Sequence, residues 1–208
     1  MLQRSLPIVI VATCGFSAAA QFSTALSFAN LAGIPLGMLN LCILPRCTML
    51  VRNSELDEAG FLVSSTAGMA LLLSSAIGIT TCILSPVAIH LLGASYSGIS
   101  LILWLLVIAS VVDSIPGPSV ALLQAMHLEG VWSRIILTFV PLQLLTVWVA
   151  STAGGLTGAA VGYLATRTMY NLLIIGTVYR LRGVLILPKI SVNWLSESVR
   201  TSQPLPPA

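Results

Sequence analysis

Of the 208 residues, 57% are hydrophobic and only 7% are charged, with nine Lys and Arg against six Asp and Glu for a net charge of +3. A soluble domain holds roughly 25% charged residues, so the composition describes a chain built for lipid, with membrane lipid as its surroundings. The arginines are scattered and form no basic stripe, which excludes nucleic acid as a partner.

The opening "MLQRSLPIVIVATCGFSAAAQ" has a basic start, an apolar stretch and small residues, the pattern of a secretory leader. A further apolar run follows it in place of a soluble domain. The reading is therefore a short first span from about Leu6 to Thr13, with a turn near Cys14 and Gly15. No Asp, Glu, Lys or Arg occurs between Arg4 and Arg46, and a crossing needs about 20 apolar residues. A long helix is expected from about Ala18 to Val51, kinked at Pro35, with Pro45 near its emerging end.

"PRCTMLVRNSELDEAG" reads as a helix exit, a polar turn and a new helix start. Arg46 and Arg52 complement the negative end of the outgoing helix and mark a cytoplasmic rim, while Ser54 and Asp57 are spaced as a capping box. The next helix runs to about Leu84, and "SPVAIHLLGASYSG" reads as a break with a short interfacial piece. A third helix is expected from about Ile99 to Met126, interrupted at "DSIPGP", where Pro116 and Pro118 each lack the N–H that would continue the ladder. A fourth helix runs from about Ser133 to Ala150 and a fifth from about Leu156 to Leu181. Gly154, Gly158 and Gly162 recur every fourth residue, the spacing that lets membrane helices approach closely. The domain division is a membrane lobe over 1–184 and a polar cytoplasmic tail over 185–208, with an interfacial turn around Trp194.

The fold class is thus all-α: a polytopic helix bundle of about five full spans plus the short first one. Arg4, Arg46, Arg52, Arg134, Arg180, Arg182 and Lys189 gather at one set of helix ends, and the opposite ends hold no Lys or Arg. By the positive-inside rule both termini are cytoplasmic.

Two charges fall inside spans. An ionised carboxylate at mid-bilayer costs roughly 2.5 to 3.5 kcal/mol on insertion scales, so Asp113 is expected to face a cavity or a partner beside the broken helix. Arg167 is expected to pair with Asp113 or to bind phosphate, for which its fork of donors is suited. Gln124 and Asn171 join them as candidates for substrate or ion contact. Asn30, Asn40, Gln21 and Gln143 could hydrogen-bond the hydroxyls of a ligand or join helices. Cys14, Cys42, Cys47 and Cys82 show no CxxC spacing and read as packing residues. His90 and His127 stand apart, and no catalytic cluster, phosphate loop or metal motif occurs, so no enzyme, metal or cofactor is expected.

"FSAAAQFSTALSFANLAGIPLGMLNLCILPRCTMLV", "LLGASYSGISLILWLLVIASVVDSIPGPSVALLQAMHLEG" and "GGLTGAAVGYLATRTMYNLLIIGTVYRLRGV" together resemble the C-terminal lobe of bacterial polysaccharide flippases, over about residues 5–184. These are the O-antigen and exopolysaccharide exporters of the multidrug/oligosaccharidyl-lipid/polysaccharide exporter superfamily. The resemblance implies residence in the bacterial cytoplasmic (inner) membrane and transport of a lipid-linked oligosaccharide in lipopolysaccharide or exopolysaccharide biosynthesis. Members of that family have twelve or more spans in two pseudo-symmetric lobes. One lobe is present here, so a partial, C-terminal copy completed by a separate N-terminal lobe is expected. The alternatives are a non-transporting subunit that assembles with polysaccharide synthesis proteins, and a multidrug exporter lobe.

Overall fold

The structure is a computed structural model that describes residues 5–93, 96, 98–182 and 188, without the side chains of residues 181 and 182. Arg4, Lys189, the side chain of Arg182, the boundary at 184, the tail that follows it (Pro188 apart) and the turn at Trp194 lie outside the described residues. The described chain is all-α: α1 Leu6–Cys14, α2 Phe16–Leu31, α3 Ile34–Arg52, α4 Leu56–Leu92, α5 Ile99–Asp113, α6 Gly117–Ala125 and α7 Glu129–Arg182. Four stretches are long and apolar enough to cross a membrane: Ile34–Arg52, Leu56–Leu92, Ile99–Ala125 and Glu129–Arg180. The fold is that of a multi-pass membrane protein.

Helix α1, within the leader-like stretch, packs into the bundle. Leu6 and Ile10 of α1 are fully enclosed, in one apolar cluster with Phe22, Leu106 and Tyr163. The turn to α2 is made at Gly15, whose φ of 88° is open to glycine at no steric cost. The single helix expected over 18–51 is two helices, and the break falls at Ala32 and Gly33, just before Pro35. Proline suits the first turn of a helix, where its missing N–H has no intrahelical acceptor, so Pro35 starts α3 and does not kink a continuous helix.

The capping box at Ser54 is not formed. Glu55 is the N-cap of α4 and makes no side-chain cap bond. Ser54 instead closes α3: its φ is 65°, its N–H donates to the Val51 carbonyl at 3.1 Å, and the Glu55 N–H reaches the Leu50 carbonyl at 2.9 Å. That 6→1 and 5→2 pair of bonds is a Schellman closure. Asp57 and Glu58 occupy the first turn of α4 as expected.

Helix α4 also corrects the expected break at "SPVAIHLLGASYSG", since it continues through Pro86 to Leu92. Pro86 has no N–H to give the carbonyl of Cys82. The Ser85 hydroxyl donates to that carbonyl at 2.7 Å, so the helix continues without an orphaned acceptor. Most threonine hydroxyls in the helices are likewise returned to a carbonyl one turn back, as at Thr66, Thr80, Thr81 and Thr146. Their apolar surroundings therefore meet few free donors.

The fourth and fifth expected helices are the two limbs of α7, which turns at Gly154 (φ −130°, ψ 17°) and Gly155 (φ 59°, ψ −143°). A Cβ on Gly158 would collide with the Ala150 carbonyl, and one on Gly162 would lie 2.9 Å from Ala150 Cβ and 3.1 Å from the Thr146 carbonyl. Farther down, the Phe139 and Tyr170 rings meet edge-on at 5.6 Å. The limbs are thus antiparallel and nearly in backbone contact. Gly158 and Gly162 do the packing, whereas Gly154 serves the turn.

Two apolar clusters stack along the bundle. One holds Leu6 to Ala29 of the first helices, Leu106, Val147 and Tyr163; the other holds Ile43, Cys47, Leu62, Leu122 and Val178. Both helix breaks, at 32–33 and 114–116, fall between them.

Gly158→Leu is expected to lower the stability of the detergent-solubilised chain by about 1–3 kcal/mol, the range for overpacking. Gly176→Ala, with open space around its Cβ, leaves the unfolding temperature unchanged or slightly higher. Ser54→Gly relieves a left-handed residue and is expected to stabilise by about 1 kcal/mol in the same thermal assay.

Candidate functional site: a buried ion pair between two cavities

Asp113 is the last residue of α5, where the helix gives way to the turn before α6. The turn is closed by short-range bonds, with Ser114 N–H donating to Val111 and Ile115 N–H to Val112. The Val112 carbonyl, which Pro116 cannot serve, is therefore taken by Ile115 and is not left for a ligand. Pro116 is the N-cap of α6 and Pro118 lies in its first turn, so the helix breaks where expected. Ser114 fixes the break to α4 through its hydroxyl, which donates to Ser74 Oγ at 2.8 Å with both residues fully buried. On the far side Gly117 lies directly against the Leu36 side chain, and its carbonyl accepts from Asn40 Nδ2 at 3.4 Å.

The second limb of α7 brings the other half. Tyr163, Arg167, Tyr170 and Asn171 recur at spacings of four, three and one, one stripe of a helix. Arg167 Nη1 lies 3.5 Å from Asp113 Oδ2, and Asn171 Nδ2 donates to Asp113 Oδ1 at 2.9 Å. Arg167 Nε donates to the Tyr163 hydroxyl at 3.2 Å, and the guanidinium carbon stands 5.3 Å from the centre of the same ring. The pair is largely but not wholly enclosed, at 20% exposure for Arg167 and 25% for Asp113.

Each partner lines a different cavity. Asp113 faces one of about 310 Å³ with Asn30, Gly33, Ile34, Leu36 and Ser110, at the break between α2 and α3. Arg167 faces one of about 210 Å³ between the limbs of α7, with Ile136, Phe139, Gln143, Thr166 and Tyr170. A larger crevice of about 430 Å³ between α2, α4 and α5 is almost wholly apolar and touches neither charge.

Asp113, Arg167 and Asn171 are therefore brought together as one unit. Gln124 is not: it lies half-buried on α6, eleven residues beyond Asp113, and lines none of these cavities. Arg46 and Arg52 are exposed at the α3 end, with Arg52 in the last turn. Sequence reasoning gave Tyr163 and Tyr170 no role, although their helical spacing from Arg167 was there to be read. Among the described residues no three His, Cys, Asp or Glu could share a metal ion.

Comparison with known protein families, curated proteins and solved structures found no match to this chain.

The ion pair generates a stability prediction. Asp113→Ala strands the guanidinium and is expected to cost about 3–5 kcal/mol, the range for breaking a buried pair. Asp113→Ala combined with Arg167→Met removes both charges and recovers at least about 1 kcal/mol of that loss, a coupling of ordinary size for touching residues. Thermal unfolding of the two variants in detergent measures the difference.

Proposed function

We propose that this chain is one lobe of a bacterial inner-membrane exporter that moves a lipid-linked oligosaccharide from the cytoplasmic to the external leaflet. The observation that carries the reading is the Asp113–Arg167 pair, set beside a broken helix and opening onto a separate cavity on each side. Discontinuous helices and intramembrane charges are where transporters hold substrates and ions. The substrate class comes from the resemblance to polysaccharide flippases, and the chemistry agrees with it, because a guanidinium matches the oxygens of a phosphate-bearing headgroup.

In this reading α1 is a short first crossing, α2 with α3 a second, α4 a third, α5 with α6 a fourth, and the limbs of α7 the last two. Arginines at 46, 52, 134 and 180 put both termini in the cytoplasm. A second lobe completes a two-sided path. Arg167 contacts the anionic head while the lipid tail stays in the bilayer, and Asp113 holds Arg167 in place until a substrate or a coupling cation competes for one of them. Apolar side chains such as Met38, Leu41 and Leu172 are exposed, which suits contact with hydrocarbon or with the second lobe.

Arg167→Ala, expressed in a membrane where the parent chain supports transport, is expected to abolish the appearance of lipid-linked oligosaccharide on the external leaflet. Lectin accessibility reports that appearance, and chain abundance at the parental level shows that folding is intact. Unchanged accessibility in this variant would remove Arg167 from the mechanism and the reading with it.

A further inference from the structure

We propose that the cavity between the two limbs of α7 is a binding site for a phosphate-class oxyanion, held by Arg167 with Gln143 and Tyr170. The inference rests on the reading of Arg167 as the contact for an anionic headgroup, and it adds the residues and the place.

Among the buried polar groups left without a partner, Gln143 is the one that lines this cavity. Its side chain is on the first limb, 6% exposed, with Nε2 enclosed and without a hydrogen-bond partner. Buried amides are almost always paired, and this one belongs to a residue that lines the cavity, so its N–H donors are committed to no other group of the described chain. A half-turn about its terminal bond presents either end, and thus N–H donors, to that space.

Arg167 faces it from the second limb. Nε is engaged by Tyr163 and Nη1 by Asp113, while Nη2 has no partner among the described residues. Tyr170 lines the same cavity and is held edge-on by Phe139. The Thr166 hydroxyl donates inward to Gly162 at 2.8 Å and adds no charge. No carboxylate lines the cavity. One cation, an amide and a phenol around a carboxylate-free space is the donor set for an oxyanion.

Depth narrows the source to two. With the Gly154–Gly155 turn at one interface, as the proposed topology has it, the rise of about 18 Å to Arg167 at about 1.5 Å per residue reaches past the middle of a hydrocarbon core about 30 Å thick. The phosphate of a resting lipid does not reach that level. An occupant is either a headgroup drawn into the protein or a soluble phosphate ester entering from the aqueous side. Binding on Arg167 also competes with Asp113, because both draw on one guanidinium, so the carboxylate lowers the apparent affinity.

The test uses the full chain in a phosphate-free maltoside detergent, with inorganic diphosphate in one arm and dispersed phosphatidic acid in the other, read by calorimetry. Saturable binding in either arm supports the site, and the responding arm identifies soluble or lipid phosphate as the source. Gln143→Leu is expected to weaken binding at least tenfold while unfolding at or above the parental temperature, since it removes an unpartnered buried amide. Asp113→Asn is expected to tighten binding about tenfold by removing the competitor. Failure of both ligands to bind the folded parent, or full affinity in Gln143→Leu, would overturn the proposal. Leaflet transfer without such binding would overturn this site and leave the transport reading standing. Binding without transfer would remove the transport reading alone.

Discussion

A charge in hydrocarbon must be answered from within the protein, and the middle of this bundle is arranged around that requirement. Asp113 is met by one guanidinium and one amide, both from the second limb of α7. The arginine in turn is steadied by Tyr163 four residues earlier, the distance at which helix side chains meet. Above and below this layer the core is apolar and continuous, from Leu6 and Phe22 at one level to Ile43 and Val178 at the other. The bundle is therefore two dry cores with a polar layer between them, and the two helix breaks lie in that layer.

Holding Arg167 opposite Asp113 is a matter of packing. The guanidinium can be aimed only if its helix is fixed in rotation and depth, and three features fix it. Gly158 and Gly162 let the second limb lie nearly against the backbone of the first. Tyr163, 2% exposed, anchors the ring on which Arg167 rests. Thr13 of α1 accepts from Ser151 Oγ at 2.9 Å and ties the hairpin tip to the start of the chain. On the opposite side, Ser114 hydrogen-bonded to Ser74 holds the break that ends α5 at Asp113. Small residues and hydroxyls, which carry no chemistry of their own, thereby set the geometry of the two residues that do.

Much of this was legible in the sequence, and the rest was hidden for identifiable reasons. Helix positions followed from charge-free runs, and Asp113, Arg167 and Asn171 drew notice because ionisable and amide groups are costly in a span. The errors lie at prolines and caps. Pro35 begins a helix and Pro86 sits inside one, and a proline gives no sign in sequence of which carbonyl rescues it; at Pro86 the rescuer is the neighbouring Ser85. Ser54 looked like an N-cap because serine favours that place, but the Schellman bonds of the preceding helix claimed it first. Gln124 and Gln143 were indistinguishable as glutamines within spans. Only the antiparallel register of the α7 limbs, with Phe139 on Tyr170 and Thr146 on Gly162, places Gln143 beside Arg167 and leaves Gln124 out.

That register also bears on why the pair is flanked by space on both sides. A salt bridge kept only for stability is best packed dry, since buried pairs are often matched or bettered by apolar residues of similar volume. Here the partners stand 3.5 Å apart, longer than a good charge-assisted bond, and each keeps about a fifth or more of its side chain exposed. The arrangement leaves both charges approachable, Asp113 from the α2–α3 break and Arg167 from within the hairpin. A ligand that engages one of them loosens its hold on the other, so two cavities that share no lining residue are linked through a single contact. The open packing, poor as a device for stability, is what permits that linkage.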